Sequence, residues 1–306
     1  MRVEMRRFSG RLDLIPALCY LQCMSNIFSM PYAVDSAFID GKLRFTLVGM
    51  STWAQTLVSF HYGEHGLTIP HMGRRGLTWV VTKQHFEISE YPEWKDDLLL
   101  ESWMEEVRGL FSLYDFRFSY ADGGKKSDWE TPLICRTPGA ERKKGQTFMN
   151  AKFQWMLLDL ETLRPVPMDS VDFGNIGFCS ETSCITRFPK IALPEKFSFE
   201  RTFTPQRLEI DLNGHVNNTE YLKYVLNSVP DEICSSRLVS SLDTNFISSA
   251  HYGDTLTCRT AVIEEECKGD EICAVHSIIR SDGSEVFRAK TVWRPESAMS
   301  RGLWTS

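Results

Sequence analysis

The chain has 306 residues, 42% of them hydrophobic, with a formal net charge of −6 and an isoelectric point near 5.7. That length suits two ordinary domains or one large one, and the apolar share is that of a globular protein. The negative balance excludes a general nucleic-acid binder, which needs an excess of Lys and Arg to neutralise phosphates; no apolar run is long enough for a membrane-spanning helix. Nine cysteines, an odd total with no C-x-x-C pair, suit free thiols in a cytoplasmic protein better than a disulfide framework or a zinc site.

Residues 1–31 read as an N-terminal extension of unknown role. Arg2, Arg6, Arg7 and Arg11 precede a moderately apolar stretch from Leu12 to Met30, an arrangement close to a targeting segment. Gln22, Ser25 and Asn26 interrupt that stretch and no small-residue cleavage site follows, so an added amphipathic segment, or a start at Met30, is the better reading. Tyr32 to Phe45 reads as a strand broken at Asp40-Gly41. Thr46 to His65 then carries Leu47, Met50, Trp53, Ala54, Leu57, Val58 and Phe60 at helical spacing. Strand-like runs follow at Leu77 to Ser89, Asp97 to Val107, Ser112 to Ala121 and Phe148 to Leu160, with turn signals at Tyr91-Pro92 and Ala121 to Gly124. One helix followed by antiparallel strands is an α+β pattern in which a curved sheet wraps the helix. The polar, basic stretch Gly124 to Thr147 interrupts it as a surface excursion whose charge could also meet an acidic partner.

The second half repeats the first. Ala151-Lys-Phe-Gln-Trp155 is echoed by Ala289-Lys-Thr-Val-Trp293, and Trp94-Lys-Asp-Asp-Leu98 by Tyr252-Gly-Asp-Thr-Leu256. The chain therefore divides into a first repeat over 32–165, a linker over 166–196 marked by Pro167, Pro189 and Pro194, a second repeat over 197–296 and a tail over 297–306. The second repeat reads as a strand from Arg201 to Ile210, a helix from Asn217 to Ser228, and strands at Arg237 to Ser248, Asp254 to Glu264, Glu271 to Arg280 and Glu285 to Trp293. Gly269-Asp270 and Asp282-Gly283 supply hairpin turns. Aligning Gly41 with Gly214 sets Phe38, Asp40 and Lys42 opposite Asp211, Asn213 and His215.

The chemistry concentrates in Asp211-Leu-Asn-Gly-His-Val-Asn-Asn-Thr-Glu-Tyr221. On an extended approach, Asp211, Asn213 and His215 fall on one face, a carboxylate, an amide and an imidazole together. Asn217 followed by Glu220 forms a capping box for a helix starting near Val216 or Asn217. Its unpaired N–H groups and positive dipole end would lie beside His215, able to hold a developing oxyanion. Each residue alone has a plain structural role as turn, cap or loop residue; the combination between a strand and an apolar helix points to acid/base chemistry.

This stretch resembles the active-site segment of the acyl-acyl carrier protein thioesterases of the plant plastid and bacterial type. Gly76-Leu-Thr-Trp-Val80 and Leu158-Asp-Leu-Glu-Thr-Leu-Arg-Pro165 add to the resemblance, which spans about Tyr32 to Pro295. It implies tandem hot-dog repeats, hydrolysis of fatty acyl-acyl carrier protein to free fatty acid, acyl carrier protein as partner, and no metal or organic cofactor. It places the catalytic roles on Asp211, Asn213 and His215, with supporting or oxyanion roles at Asn217 and Ser249, and the acyl-chain pocket in the first repeat. Trp53, Leu57 and Trp79 are candidates for that pocket, though each reads better as core. With both repeats in one chain, a monomer or a homodimer is expected.

One departure stands out. In the plant members the strand after the active-site helix ends in Glu, often followed by Cys; here Ser249 and Ala250 occupy those positions, so neither a carboxylate base nor a thiol nucleophile is available. His251 lies on the same strand face as Ser249 if the strand continues, as a substitute base or as an ordinary surface histidine. A coenzyme A thioesterase and a catalytically weakened carrier-protein-binding relative are the alternative readings.

Overall fold

The computed structural model describes residues 26–121 and 145–299. The extension up to residue 25, the basic stretch of the 124–147 excursion as far as residue 144, and the tail from residue 300 lie outside the described residues. The elements in chain order are β1 (Phe28–Ala33), α1 (Leu47–Glu64), α2 (Ile69–Gly73), β2 (Leu77–Ile88), β3 (Asp97–Arg108), β4 (Phe111–Tyr120), β5 (Thr147–Asp159), β6 (Pro165–Val166), β7 (Phe199–Phe203), α3 (Asn218–Leu226), α4 (Asp231–Cys234), β8 (Arg237–Phe246), β9 (Leu256–Val262), β10 (Ile272–Arg280), β11 (Glu285–Pro295) and α5 (Glu296–Met299). The strands form one antiparallel sheet in the order β1-β3-β4-β5-β2-β8-β11-β10-β9-β7, with β6 added to β5. This is an α+β, hot-dog architecture.

The long helix follows directly from its sequence. Thr46 caps it by accepting the Gly49 N–H, and Met50, Ala54, Leu57, Val58 and Tyr62 recur on one face and are buried against the sheet. Gly49 sits where the chain leaves no room: a Cβ there would lie 2.6 Å from Phe45 Cε2 and 2.7 Å from Phe38 Cβ. Trp53 packs on Tyr32 with ring centroids 4.2 Å apart, Leu57 is fully buried, and Trp79 is buried with its indole N–H donated to the Leu67 carbonyl. All three sit in or against the apolar core.

Two expected strands are shorter than their sequence patterns. The run from Arg201 to Ile210 leaves the sheet after Phe203, because Pro205 has no N–H to offer, and Arg207–Glu209 closes a 3₁₀ turn instead. Tyr32 to Phe45 likewise splits into β1, a 3₁₀ turn at Ser36–Phe38 and a single bridge between Ile39 and Phe45. β1 begins at Phe28, ahead of the boundary drawn at residue 31; Met30 pairs with Leu100 in mid-strand, and Phe28 stacks on His61.

The halves join where β2 pairs with β8, from Lys83 opposite Asn245 to Glu87 opposite Ser241. His85 and Asp243 face each other at the centre of this junction. The imidazole Nδ1 lies 2.7 Å from Asp243 Oδ1 and Nε2 lies 3.3 Å from Glu87 Oε1. Trp155 pairs with Val81 and Trp293 with Val239, while Ala151 pairs with Phe86 and Ala289 with Thr244, so the two echoed segments occupy equivalent rungs on either side. The segment after β6 crosses outside the sheet, pinned by a bridge between Phe178 and Met104, by the Trp103 indole N–H on the Glu181 carbonyl, and by Ser183 donating to Asp115, which lies beside buried Lys152.

Replacing Gly49 by Ala should destabilise the protein by about 1–3 kcal/mol through overpacking, read as a fall in the urea midpoint. Burial alone would depress the His85 pKa, but the bonds and charges of Asp243 and Glu87 outweigh it and raise it above the ordinary value. The stabilisation it supplies is therefore complete below pH ~6.5 and lost as pH rises through the folded pKa. Wild-type stability should fall across that interval by more than that of His85→Gln, measured by urea unfolding on both sides of it.

Candidate active site

The segment from Asp211 to His215 is a tight turn closed by a bridge between Ile210 and Val216, not the extended strand end expected from alternation. Asp211 builds it. Its backbone N–H donates to the His215 carbonyl at 2.8 Å, and its Oδ1 accepts the N–H groups of Asn213 at 2.8 Å and His215 at 3.4 Å. The carboxylate thus fixes the backbone that carries the amide and the imidazole, and it touches neither side chain through a hydrogen bond. Gly214 takes φ 77°, the left-handed conformation that the turn demands.

The first repeat contains the same turn. Asp40 Oδ1 accepts the N–H groups of Lys42 at 2.8 Å and Arg44 at 3.0 Å, and Asp40 N–H donates to the Arg44 carbonyl. Phe45 N–H reaches the Pro92 carbonyl as Val216 N–H reaches that of Ala250, and Thr46 N–H reaches Phe38 as Asn217 N–H reaches Glu209. Leu43, at φ 62°, stands where Gly214 stands. The alignment of Gly41 with Gly214 is therefore two residues out of register. Asp40 matches Asp211, Lys42 replaces Asn213 and Arg44 replaces His215. Lys42 and Arg44 are neutralised by Glu296, at 2.5 and 2.9 Å, and Arg44 also by Asp40.

The start of α3 differs from the expected capping box. Asn217 Oδ1 accepts the Thr219 N–H at 3.0 Å, but Glu220 turns to Lys223 at 2.6 Å instead of returning to the cap, whose N–H is held by the Glu209 carbonyl. The N–H groups of Val216, Asn217, Thr219 and Glu220 are all engaged. At this helix start, the donor left for a ligand is the N–H of Asn218.

The second repeat's turn abuts the first repeat. Thr78 Oγ1 donates to Asn213 Oδ1 at 3.3 Å, and Asn218 Nδ2 donates to Gln55 Oε1 at 3.2 Å. The Gly76–Val80 run contains Thr78, but its separation of 135 residues from Asn213 gave no local sign of the contact. The stretch after β8 completes the surroundings. Ala250 is fully buried and held by Val216 N–H on its carbonyl and by its own N–H on the Tyr221 hydroxyl at 3.0 Å. The Ser249 carbonyl accepts from Arg280, and His251 N–H donates to Asp254 Oδ2 at 2.9 Å, the carboxylate that Arg280 Nε meets at 3.3 Å. This brings His251 against His215, with ring centroids 4.9 Å apart and planes at 79°.

His215 is half-buried. Burial, then the charge of His251, lowers its pKa below 6.5, and Asp211 opposes the shift. The imidazole is consequently neutral at pH 7 and able to accept a proton. Among the described residues no cluster of three or more His, Cys, Asp or Glu side chains is arranged to hold a metal, and no helix is long and apolar enough to cross a membrane.

Two family models match the chain. One, described as the acyl-ACP thioesterase N-terminal domain, covers residues 25–128, and the other, the acyl-ACP thioesterase C-terminal domain, covers 193–295. The chain belongs to the acyl-ACP thioesterase family. Curated relatives include a chloroplastic dodecanoyl-[acyl-carrier-protein] hydrolase of Cinnamomum camphora, 24% identical over 90% of this chain and 70% of that protein. A chloroplastic acyl-[acyl-carrier-protein] hydrolase of Cuphea viscosissima is 25% identical over 76% of this chain and 52% of the relative. The chain thus spans from about half to 70% of the length of these relatives. The solved 12:0-ACP thioesterase of Umbellularia californica superposes with a TM-score of 0.73 at 22% identity, covering 90% of this chain and 97% of that one. An acyl-ACP thioesterase of Bacteroides thetaiotaomicron gives 0.71 at 20% identity, covering 88% and 98%.

Removing the second imidazole should release part of the constraint on the first. In His251→Asn the His215 pKa is expected to rise towards its ordinary value, observed as a higher titration midpoint of the His215 ring protons by NMR; an unchanged midpoint would show that burial alone lowers it.

Proposed function

We propose that this chain hydrolyses fatty acyl thioesters carried on acyl carrier protein, releasing free fatty acid and the carrier thiol. The observation that carries this reading is the Asp211–His215 turn held against the first repeat by Asn213 and Thr78, in a chain of this family. It places a neutral imidazole and a side-chain amide at one junction of the two halves.

In this reading Asn213 orients the thioester or the attacking water and His215 removes a proton from that water as it adds to the carbonyl carbon. The Asn218 N–H, at the positive end of α3, stabilises the carbonyl oxygen as it becomes negative. The tetrahedral intermediate then expels the sulfur, and the His215 imidazolium returns the proton to the departing thiolate. Asp211 serves by shaping the turn. Ser249 has no side-chain carboxylate and supplies no base. The acyl chain would run under α1 near Trp53, Leu57 and Trp79, where each further methylene buried is worth about 0.8 kcal/mol.

The boundaries proposed for the halves follow the repeats, with the linker over 166–196. A single chain supplies both sides of the site, so a monomer suffices. The compartment we propose is cytoplasmic, on the ground that the six described cysteines are all free thiols; the plant relatives above are named chloroplastic.

The test is release of free fatty acid from a matched panel of carrier-protein and coenzyme A esters. Hydrolysis of the carrier-protein esters should fall by about 10²–10⁴-fold in His215→Ala and rise in Ser249→Glu, which restores a carboxylate. Turnover confined to coenzyme A esters would reassign the substrate, and tight binding of carrier protein without turnover on any ester would sink the hydrolase reading.

A further inference from the structure

Away from the turn, the outer face of the junction carries a groove of about 450 Å³. Its floor comes from both halves, with Lys83 and Gln154 from the first and Asn245 and Arg288 from the second, and its wall is the crossing segment Thr186–Ile191. Five cationic side chains line it, Lys83, Arg108, Arg187, Lys190 and Arg288, against the single carboxylate of Glu106. Arg288 is committed: it pairs with Glu285 at 2.6 Å and donates to the Ile191 carbonyl at 2.9 Å, which fastens the wall to the floor. Lys83 lies over the Phe188 ring, 5.8 Å from its centroid. Lys83, Arg108, Arg187 and Lys190 have no carboxylate partner among the described residues, and Arg108, Arg187 and Lys190 are exposed.

Four unneutralised cations around one groove contrast with the −6 balance of the chain. Lone lysines and arginines scattered over a surface are ordinary; here they converge on a concavity spanning the seam of the two halves, where their potentials add. The groove also lies on the strand that touches the site. Thr78, the partner of Asn213, and Lys83 are both on β2, paired with Leu158 and Gln154 across the β2–β5 ladder. Their partners are four rungs apart, about 13 Å at ~3.3 Å per residue. An extended pantetheine arm spans that interval.

We propose that this groove is the docking site for the acidic face of the acyl carrier protein, seated so that its pantetheine arm runs along β2 to the turn. The inference rests on the hydrolase reading for its substrate, and on charge and position for its location. Docking of this kind steers encounter more than it tightens the final complex, so its loss should appear in kcat/KM and in the response to salt.

The experiment compares wild type with the triple variant Arg108→Glu, Arg187→Glu, Lys190→Glu, all exposed residues outside the site. Hydrolysis of one acyl group is followed on carrier protein and on N-acetylcysteamine, which has no protein to dock, at low and high salt. The expected result is a fall of about tenfold or more in kcat/KM for the carrier-protein ester, through KM, with the salt dependence flattened and the small thioester unaffected. Carrier-protein kinetics within about twofold of wild type, or an equal loss on both esters, would overturn the proposal. If wild type hydrolyses neither ester, the hydrolase reading fails, and docking is judged separately by calorimetric titration with unacylated carrier protein. Binding abolished in the variant then supports the groove, and binding unchanged or absent in wild type overturns it.

Discussion

The five rungs between β2 and β8 are the constraint on which the molecule depends. Without them there are two curved half-sheets, each with an open edge and a helix; with them the edges are satisfied and α1 and α3 come into contact. The candidate site depends on this pairing, since Asn213 and Asn218 of the second half find Thr78 and Gln55 of the first. The groove over the seam has the same origin. At the centre of the pairing the sequence places a His–Asp contact where two apolar residues would pack, so the joint is directional: each partner satisfies the other and neither can be buried alone without cost.

Duplication makes an internal control of the first half. Asp40 and Asp211 accept the same two backbone N–H groups in the same turn, yet one turn carries Lys42 and Arg44 and the other Asn213 and His215. A carboxylate kept where there is no imidazole to serve is there for the turn. The residues that distinguish the two turns chemically are therefore the amide and the imidazole. In the first half the corresponding side chains are cations held in ion pairs with Glu296, and the corner has become part of the clamp on the end of β11.

Much of this was legible in the sequence, and the failures have physical causes. The extent of α1 followed from the helical spacing of apolar residues from Leu47 to Phe60, although Phe60 itself turns out exposed, and the strands of each half from aromatic and β-branched runs ended by turn residues. The turn register was misjudged because glycine was used as the marker of the left-handed position, and in the first half that position is held by Leu43 at φ 62°. The strand from Arg201 was extended too far because alternation outweighed Pro205. The contact of Thr78 with Asn213 crosses 135 residues and has no local signature.

The position of Ser249 is best understood from what holds its backbone. Arg280 grips the Ser249 carbonyl, Tyr221 and Val216 grip Ala250, and Asp254 holds the His251 N–H. None of these bonds uses the side chain at 249, so the segment keeps its course whether that side chain is a carboxylate or a hydroxyl. Its course carries the next odd residue, His251, against His215. A carboxylate beside His215 would raise its pKa by attraction; an imidazole that can become positive does the reverse, and burial acts in the same direction. The segment thus sets a second imidazole against His215, and burial and that neighbour together lower the His215 pKa.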